Sequence, residues 1–332
     1  GSFSGYANAE TTLSFSQDLE LWGRRSARVG AARADAGAAA LRRDQAAVEA
    51  AARLALAYAE AEAAERRAGL AAEALTVIIA DTRAALALVE EGREPLLRGI
   101  QGESEAAAAK AGLDEAEAER DAAFARLTAV AMLSTPVTSI ETSLIDRTPS
   151  TPVSASASPQ VRVAQAERSA AEARIAVERI RATPDVTASV GVRRFETEGE
   201  TALTFGFSLP LPLFDRNRGN IEAAQADFRV ADARLLSARQ DAEADRNAAQ
   251  ARLRASASRV SAADAGVSAG EEAYRLSRIG FEAGRISQLE LRSSRTALIT
   301  ARNAAVDARL ARARAEIDLA RLQGRAPFGV AQ

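Results

Sequence analysis

Cysteine and histidine are both missing from this 332-residue chain. Their absence excludes disulfides, thiolate or imidazole metal sites, Cys or His nucleophiles and His general bases. An excess of either charge is lacking too: 43 basic residues against 45 acidic ones leave a net charge of −2. That is no electrostatic footprint for nucleic acid. Long apolar runs are also absent. Stretches such as Ala74–Ala80, interrupted by Thr76, fall far short of the roughly 20 residues a membrane-spanning helix needs. No Gly-rich phosphate loop follows a strand. With only carboxylates, arginines, Lys110, Ser and Tyr left for catalysis, and no convergent nucleophile and base among them, the chain reads as a non-enzyme with no cofactor and no metal site. No initiator Met and no secretory leader open it, so it is expected to begin after processing or truncation.

What the chain does have is a tandem duplication. Shifted by 192 positions it overlays itself without a gap, and the matches fall on rare residues rather than on the abundant alanines. Leu19, Leu21 and Trp22 meet Leu211, Leu213 and Phe214; Glu90, Gly92 and Arg93 meet Glu282, Gly284 and Arg285; Leu97 and Leu127 meet Leu289 and Leu319. Shared composition cannot place a strand-like segment and a Gly-Arg pair at one common offset. Residues 1–133 form the first repeat and 158–332 the second.

Two periodicities alternate within each repeat. From 24 to 90, and again from 216 to 281, the sequence is rich in Ala, Arg, Glu and Leu and free of proline, the pattern of long helices. Leu253, Val260, Val267, Tyr274 and Phe281 recur every seven residues, with Ser256, Ala263, Gly270 and Ser277 three positions later. That is a coiled-coil seam of large residues against small ones. Each long helix stops at a tip, 91–94 and 282–286, where a glycine supplies the positive-φ cap. Return helices follow over 95–133 and 287–324, and a further helix over 158–183. A descending helix of about 66 residues spans roughly 100 Å. The ascending path matches it in two pieces, of roughly 58 and 39 Å. The Ser-, Thr- and Pro-rich segment 134–157 between them reads as a belt partway up the helices or as a flexible inter-repeat linker.

The second period is two. Val186, Ala188, Val190 and Val192 alternate with polar or small residues, as do Leu203, Phe205, Phe207, Leu209 and Leu211. Strands are expected over 185–195 and 203–214, with a counterpart over 10–22. Each has one apolar and one polar face, and a length of about ten residues suits a tilted transmembrane strand. A soluble amphipathic hairpin is the alternative; the membrane is preferred because no other apolar sheet in the chain could cover that face.

At this point residues carry a resemblance. The strand running into "LPLPLFDRNRGNIEAAQADF" (Leu209 to Phe228), the tip "YRLSRIGFEAGRISQLEL" (Tyr274 to Leu291), the helix start at Ser158-Pro159 and the duplication resemble the TolC-type outer-membrane factor family. More narrowly, they resemble its CzcC/CusC-like heavy-metal efflux branch. The likeness covers essentially the whole chain. It implies a mainly α fold with a small β part: long coiled-coil helices forming an α-barrel, and strands contributing to a trimeric 12-stranded transmembrane β-barrel in the bacterial outer membrane. It also implies a homotrimer that works with a periplasmic adaptor and an inner-membrane RND transporter, contacts outer-membrane lipid and binds no nucleic acid. By the 192-residue offset, residue 1 aligns with Arg193. The first repeat therefore lacks counterparts of the Ser158 helix and the Val186 strand, and the chain is expected to hold three of four strands.

The resemblance assigns roles to particular residues. Gly92, Arg93, Gly284 and Arg285 are placed at the tips that meet the adaptor. Glu290 sits where related ducts carry an acidic ring, as a candidate entrance gate, against the plainer reading of a solvated helix face; Arg98 stands there in the first repeat. Leu203, Phe205, Phe207, Leu209 and Leu211 form the lipid face. Arg193 and Arg194 suit the barrel rim better than its lumen. Glu196, Glu198 and Glu200 read as a solvated external turn, and Tyr274 and Phe281 as seam packing rather than adaptor contacts, with Phe281 close enough to the tip to do both. The function expected is passive: an exit channel for a tripartite efflux pump, carrying heavy-metal cations. A soluble coiled-coil scaffold or periplasmic adaptor, and a duct for drugs or other organic substrates, are the alternatives.

Overall fold

A computed structural model describes residues 10–147, 158–195, 200–210 and 216–327. Eight elements follow in order: β1 (Glu10–Leu19), α1 (Arg24–Glu90), α2 (Leu96–Val130), α3 (Pro159–Arg181), β2 (Val186–Phe195), β3 (Thr201–Ser208), α4 (Arg218–Glu282) and α5 (Gln288–Leu322). The fold is mainly helical with one small sheet. None of the described helices is long and apolar enough to cross a membrane.

Two strands differ from the expected 10–22 and 203–214. β1 stops at Leu19 because the Leu21 N–H turns back to the Leu19 carbonyl at 2.7 Å. Trp22 (φ 62°) and Gly23 (φ 78°) then take left-handed conformations that redirect the chain into α1. β3 starts earlier, at Thr201, and ends at Ser208, two residues before Pro210, which has no N–H to offer a ladder. Residues 211–215 lie outside the described residues, and Leu211 with them.

The chain folds into two compact units, and neither is a sequence repeat. One comprises Gly1–Asp44 and Pro159–Asp241; the other Gln45–Ser158 and Ala242–Gln332. Each draws on both repeats, because α1 and α4 contribute residues to both units.

In the first unit the sheet runs β1-β2-β3 with both pairings antiparallel. The β2–β3 hairpin is local. The β1–β2 pairing, from Glu10↔Phe195 to Leu19↔Val186, joins the two repeats across the sequence. Arg24 fastens the junction below: it pairs with Asp185 and donates to the Thr183 carbonyl at 2.9 Å. Buried Ala31, Ala38, Ala164, Ala170, Ala171 and Ala224 let the helices of this unit approach closely, and Arg168 lies 4.7 Å from the Phe228 ring centroid.

The second unit has three small apolar cores. One joins Ala59, Ala63, Ile145, Val306, Leu310 and Ala313; one joins Ala57, Ala61, Phe124 and Leu127; one joins Ala249, Leu319 and Leu322. The heptad positions of α4 from Leu253 to Phe281, with their small partners, are its buried or half-buried residues, while most positions between them are exposed. That is the seam geometry of a period near 3.5.

Residues 134–147, the described part of the inter-repeat segment, pack in this second unit as a belt. Ile145 is fully buried against α1 and α5, and the Tyr58 hydroxyl donates to the Thr142 carbonyl at 2.6 Å. The buried Glu62 carboxylate organises the segment. It accepts from the Leu144 N–H (2.7 Å), the Ile145 N–H (3.1 Å), the Ser143 hydroxyl (2.7 Å) and Arg66 (2.7 Å). Arg66 also pairs with Asp146 and holds that carboxyl below its ordinary value. Residues 148–157 lie outside the described residues.

Candidate functional site

The sheet separates its residues by chemistry. Along one face, register stacks Leu13, Val192 and Leu203 in one row and Phe15, Val190 and Phe205 in the next; a third holds Gln17, Ala188 and Phe207. Leu13, Phe15, Leu203, Phe205 and Phe207 are each between 66% and 81% exposed. An apolar face this bare, in rows, is one that solvent does not favour. Leu209, just past β3, is also exposed.

The opposite face is small and polar. Thr204 donates to the Gly191 carbonyl at 3.2 Å, Ser189 to the Gly206 carbonyl at 3.3 Å and Thr187 to Asp18 at 2.7 Å. A methyl group at Gly206 would sit 2.6 Å from the Ser189 hydroxyl, so this face is closely packed without apolar bulk. Arg193 belongs to it, donating to Thr12 at 3.2 Å. Arg194 shares the parity of the apolar face, at its last row. Glu196 and Glu198 lie outside the described residues, whereas Glu200 is described and exposed.

At the tips, both glycines end their helices in the same way. Gly92 (φ 70°) donates to Val89 at 3.0 Å while Arg93 reaches back to Leu88 at 2.9 Å; Gly284 (φ 69°) donates to Phe281 at 2.9 Å while Arg285 reaches Gly280 at 2.8 Å. These are Schellman caps, which require the left-handed conformation glycine adopts freely. Arg93 and Arg285 are exposed. Leu96, Leu97, Ile100 and Leu289 are exposed nearby, and Arg98 bonds Gln288 at 3.0 Å, tying the two tips together.

Glu290 has a definite local task. Its Oε2 accepts from the Ser287 N–H at 2.7 Å, and the Ser287 hydroxyl oxygen accepts from the Glu290 N–H at 3.3 Å, a capping box at the start of α5. Those bonds from Ser287 keep the carboxyl below its ordinary value. Ser287-Gln-Leu-Glu290 is the S-x-x-E spacing of that cap, a signal readable without the structure.

Arg295 stands out only in three dimensions. It is buried and bridges Asp81 on α1 and Glu105 on α2, while Arg292 also pairs with Glu105. The repeat offset puts Glu103, Ala273 and Ala297 where Arg295, Asp81 and Glu105 would recur, so the network that joins α1, α2 and α5 has no second copy and the duplication does not reveal it. Among the described residues no group of three His, Cys, Asp or Glu side chains is placed to hold a metal ion.

Comparison with known proteins follows the same geometry. The profile of the family described as outer membrane efflux protein matches residues 1–131 and 153–325. The nickel and cobalt resistance protein CnrC of Cupriavidus metallidurans is 42% identical over 250 residues, covering 74% of this chain and 60% of that protein. The nickel-cobalt-cadmium resistance protein NccC of Alcaligenes xylosoxydans xylosoxydans is 40% identical over 250 residues, covering 74% and 57%. The matched region thus spans less than two thirds of either relative. Among solved structures, CusC superposes with a TM-score of 0.84 at 19% identity, over 95% of this chain and 77% of that one. The CmeC outer membrane channel of Campylobacter jejuni gives 0.81 at 14% identity, over 97% and 72%. At those identities the likeness is one of fold.

Proposed function

The chain belongs to the outer membrane efflux protein family, and we propose on that premise that it forms part of an outer-membrane exit duct for heavy-metal cations. The single observation that carries the membrane half of this reading is the bare apolar face of the three-stranded sheet. β1 and β3 each have one edge without a partner among the described residues. In lipid every unpaired N–H and C=O costs several kcal/mol. In a homotrimer such edges lie beside strands of neighbouring copies, and the sheet contributes to a 12-stranded barrel with its small polar face inward and Leu203, Phe205, Phe207 and Leu209 toward lipid. A soluble scaffold has no use for such a face.

The metal half of the reading rests on the kinship with CnrC and NccC, both named for resistance to nickel and cobalt. It needs no ligand set, since a duct touches its cargo only in passing. Glu290, an exposed carboxylate, contributes negative charge that favours cations at the entrance. Gly92, Arg93, Gly284 and Arg285 meet a periplasmic adaptor, and a proton-driven RND transporter in the inner membrane supplies the energy.

Two measurements test this. Light scattering of the detergent-extracted full-length protein is expected to give the mass of a trimer, and a stable monomer inserted in bilayers would overturn the architecture. Gly284→Val strains the positive-φ cap, while open space surrounds the position. Nickel export in cells is therefore expected to fall while trimer yield holds; export that persists would remove the tips from the mechanism.

A further inference from the structure

Between the strands and the helices of the first unit lies a junction whose charges are only partly used. Its carboxylates are largely committed: Asp185 to Arg24, Glu20 to Arg28, and Glu178 to Arg181 and to the Asn217 amide. Four arginines there are not. Arg25 at the start of α1, Arg179 in the last turn of α3, Arg216 just before α4 and Arg218 at its start are exposed. They hold no side-chain hydrogen bond or ion pair among the described residues. Among the described residues, Glu222, one turn further along α4, is a carboxylate nearby that is not committed to a partner. The contacts that join Arg24 to the chain around Thr183, and Asn217 to Glu178, gather these segments at one level.

At the same level stands Trp22, the only tryptophan of the chain. It is 65% exposed and held at φ 62°, a conformation that costs a bulky residue energy. It follows directly on the apolar face of β1, with Leu19 and Leu21 exposed beside it. A strained indole turned to the outside, one edge apolar and one edge polar, suits the border between hydrocarbon and headgroups.

We propose that this junction is a binding surface for anionic phospholipid headgroups, with Trp22 seated at the bilayer border and Arg25, Arg179, Arg216 and Arg218 receiving the phosphates. The inference rests on the outer-membrane reading above and adds a lipid preference to it. Unpaired guanidiniums bordering an apolar lipid face complement a negatively charged headgroup layer, and each is expected to raise association about fivefold.

The single tryptophan makes the test direct. The full chain is reconstituted in bilayers of phosphatidylcholine and phosphatidylglycerol, with one lipid or the other brominated in its acyl chains, and quenching of Trp22 emission is measured. Brominated phosphatidylglycerol is expected to quench at least fivefold more effectively at equal mole fraction. The preference is expected to vanish in a variant carrying Arg25→Gln, Arg179→Gln, Arg216→Gln and Arg218→Gln with an unchanged circular dichroism spectrum, and to shrink at about 0.5 M salt. Equal quenching by both lipids, or a preference that survives the fourfold substitution, overturns the arginine surface while leaving the membrane reading intact. Absence of quenching by either lipid, in protein that floats with the vesicles, places Trp22 outside the bilayer and overturns the proposal at the border. Protein that fails to float with vesicles of any composition counts against the outer-membrane reading itself, and the proposal falls with it.

Discussion

Glu62→Ala is the substitution whose effect follows most directly from the structure. The carboxylate is 3% exposed and receives four donors, two of them the backbone N–H groups of Leu144 and Ile145. Truncation leaves those two amides without an acceptor, at about 1–3 kcal/mol each. Arg66 keeps its pairing with Asp146, and that exposed ion pair adds little in either direction. The burial of Ile145, worth about 1.5–3 kcal/mol, and the bonds from Arg312 to the Ile145 and Arg147 carbonyls at 2.9 and 3.1 Å remain, so the belt at 143–147 loosens around the two amides rather than coming away. The free energy of local opening is therefore expected to drop by about 2–5 kcal/mol. Hydrogen exchange resolved by mass spectrometry reads this at the Leu144 and Ile145 amides, where about 1.4 kcal/mol corresponds to tenfold. Exchange at least roughly 30-fold faster is expected, while amides at the two tips keep their rates. Glu62→Gln retains one acceptor oxygen and is expected to fall between. Unchanged exchange at both amides in the alanine variant would refute the reasoning, because it would mean that the carboxylate does not hold the segment down.

Two further outcomes are open to measurement. α2 ends in the same Schellman geometry as α5, but with Met132 at φ 52° where Gly324 stands at φ 69°; because Met132 is 90% exposed, nothing is lost by removing its side chain. A left-handed non-glycine residue costs about 1–2 kcal/mol and glycine returns about 0.5–1 of that through the unfolded chain, so Met132→Gly is expected to stabilise by about 0.5–1 kcal/mol in urea unfolding, and a loss of stability would count against the cap. Asp146 has a folded-state pKa depressed by Arg66, so its contribution is present above the ordinary value of 3.8 and is lost as pH falls through the lowered value; because the pair is largely exposed, protection of the Leu144 and Ile145 amides, corrected for the intrinsic pH dependence of exchange, is expected to fall only slightly over that range, and Asp146→Asn to remove that part of the fall.

Much of the molecule follows from rules that act over a few residues. The α1 boundaries, the positive-φ caps at Gly92 and Gly284, and the seam of α4 were legible because helical periodicity, glycine's freedom and heptad spacing are local properties. The alternation through Val186–Val192 and Leu203–Phe207 likewise marked two strands and their apolar face, since a period of two assigns faces before any partner is known. The duplication at 192 residues tied the two tips together for the same reason: it is a property of the string. Tertiary structure decided the rest. That β1 lies beside β2, leaving β2 central, depends on a pairing across most of the sequence, and nothing in either strand's own pattern selects that neighbour. The two compact units cut across the repeats because α1 and α4 each supply packing surface to both. Glu62 reads along the chain as one more acidic residue in a helix of Ala, Arg and Glu; only where the belt comes to rest does its carboxylate meet two unpaired amides. Arg295 is the same case, an arginine like many others until Asp81 and Glu105 arrive from two different helices to bury its charge.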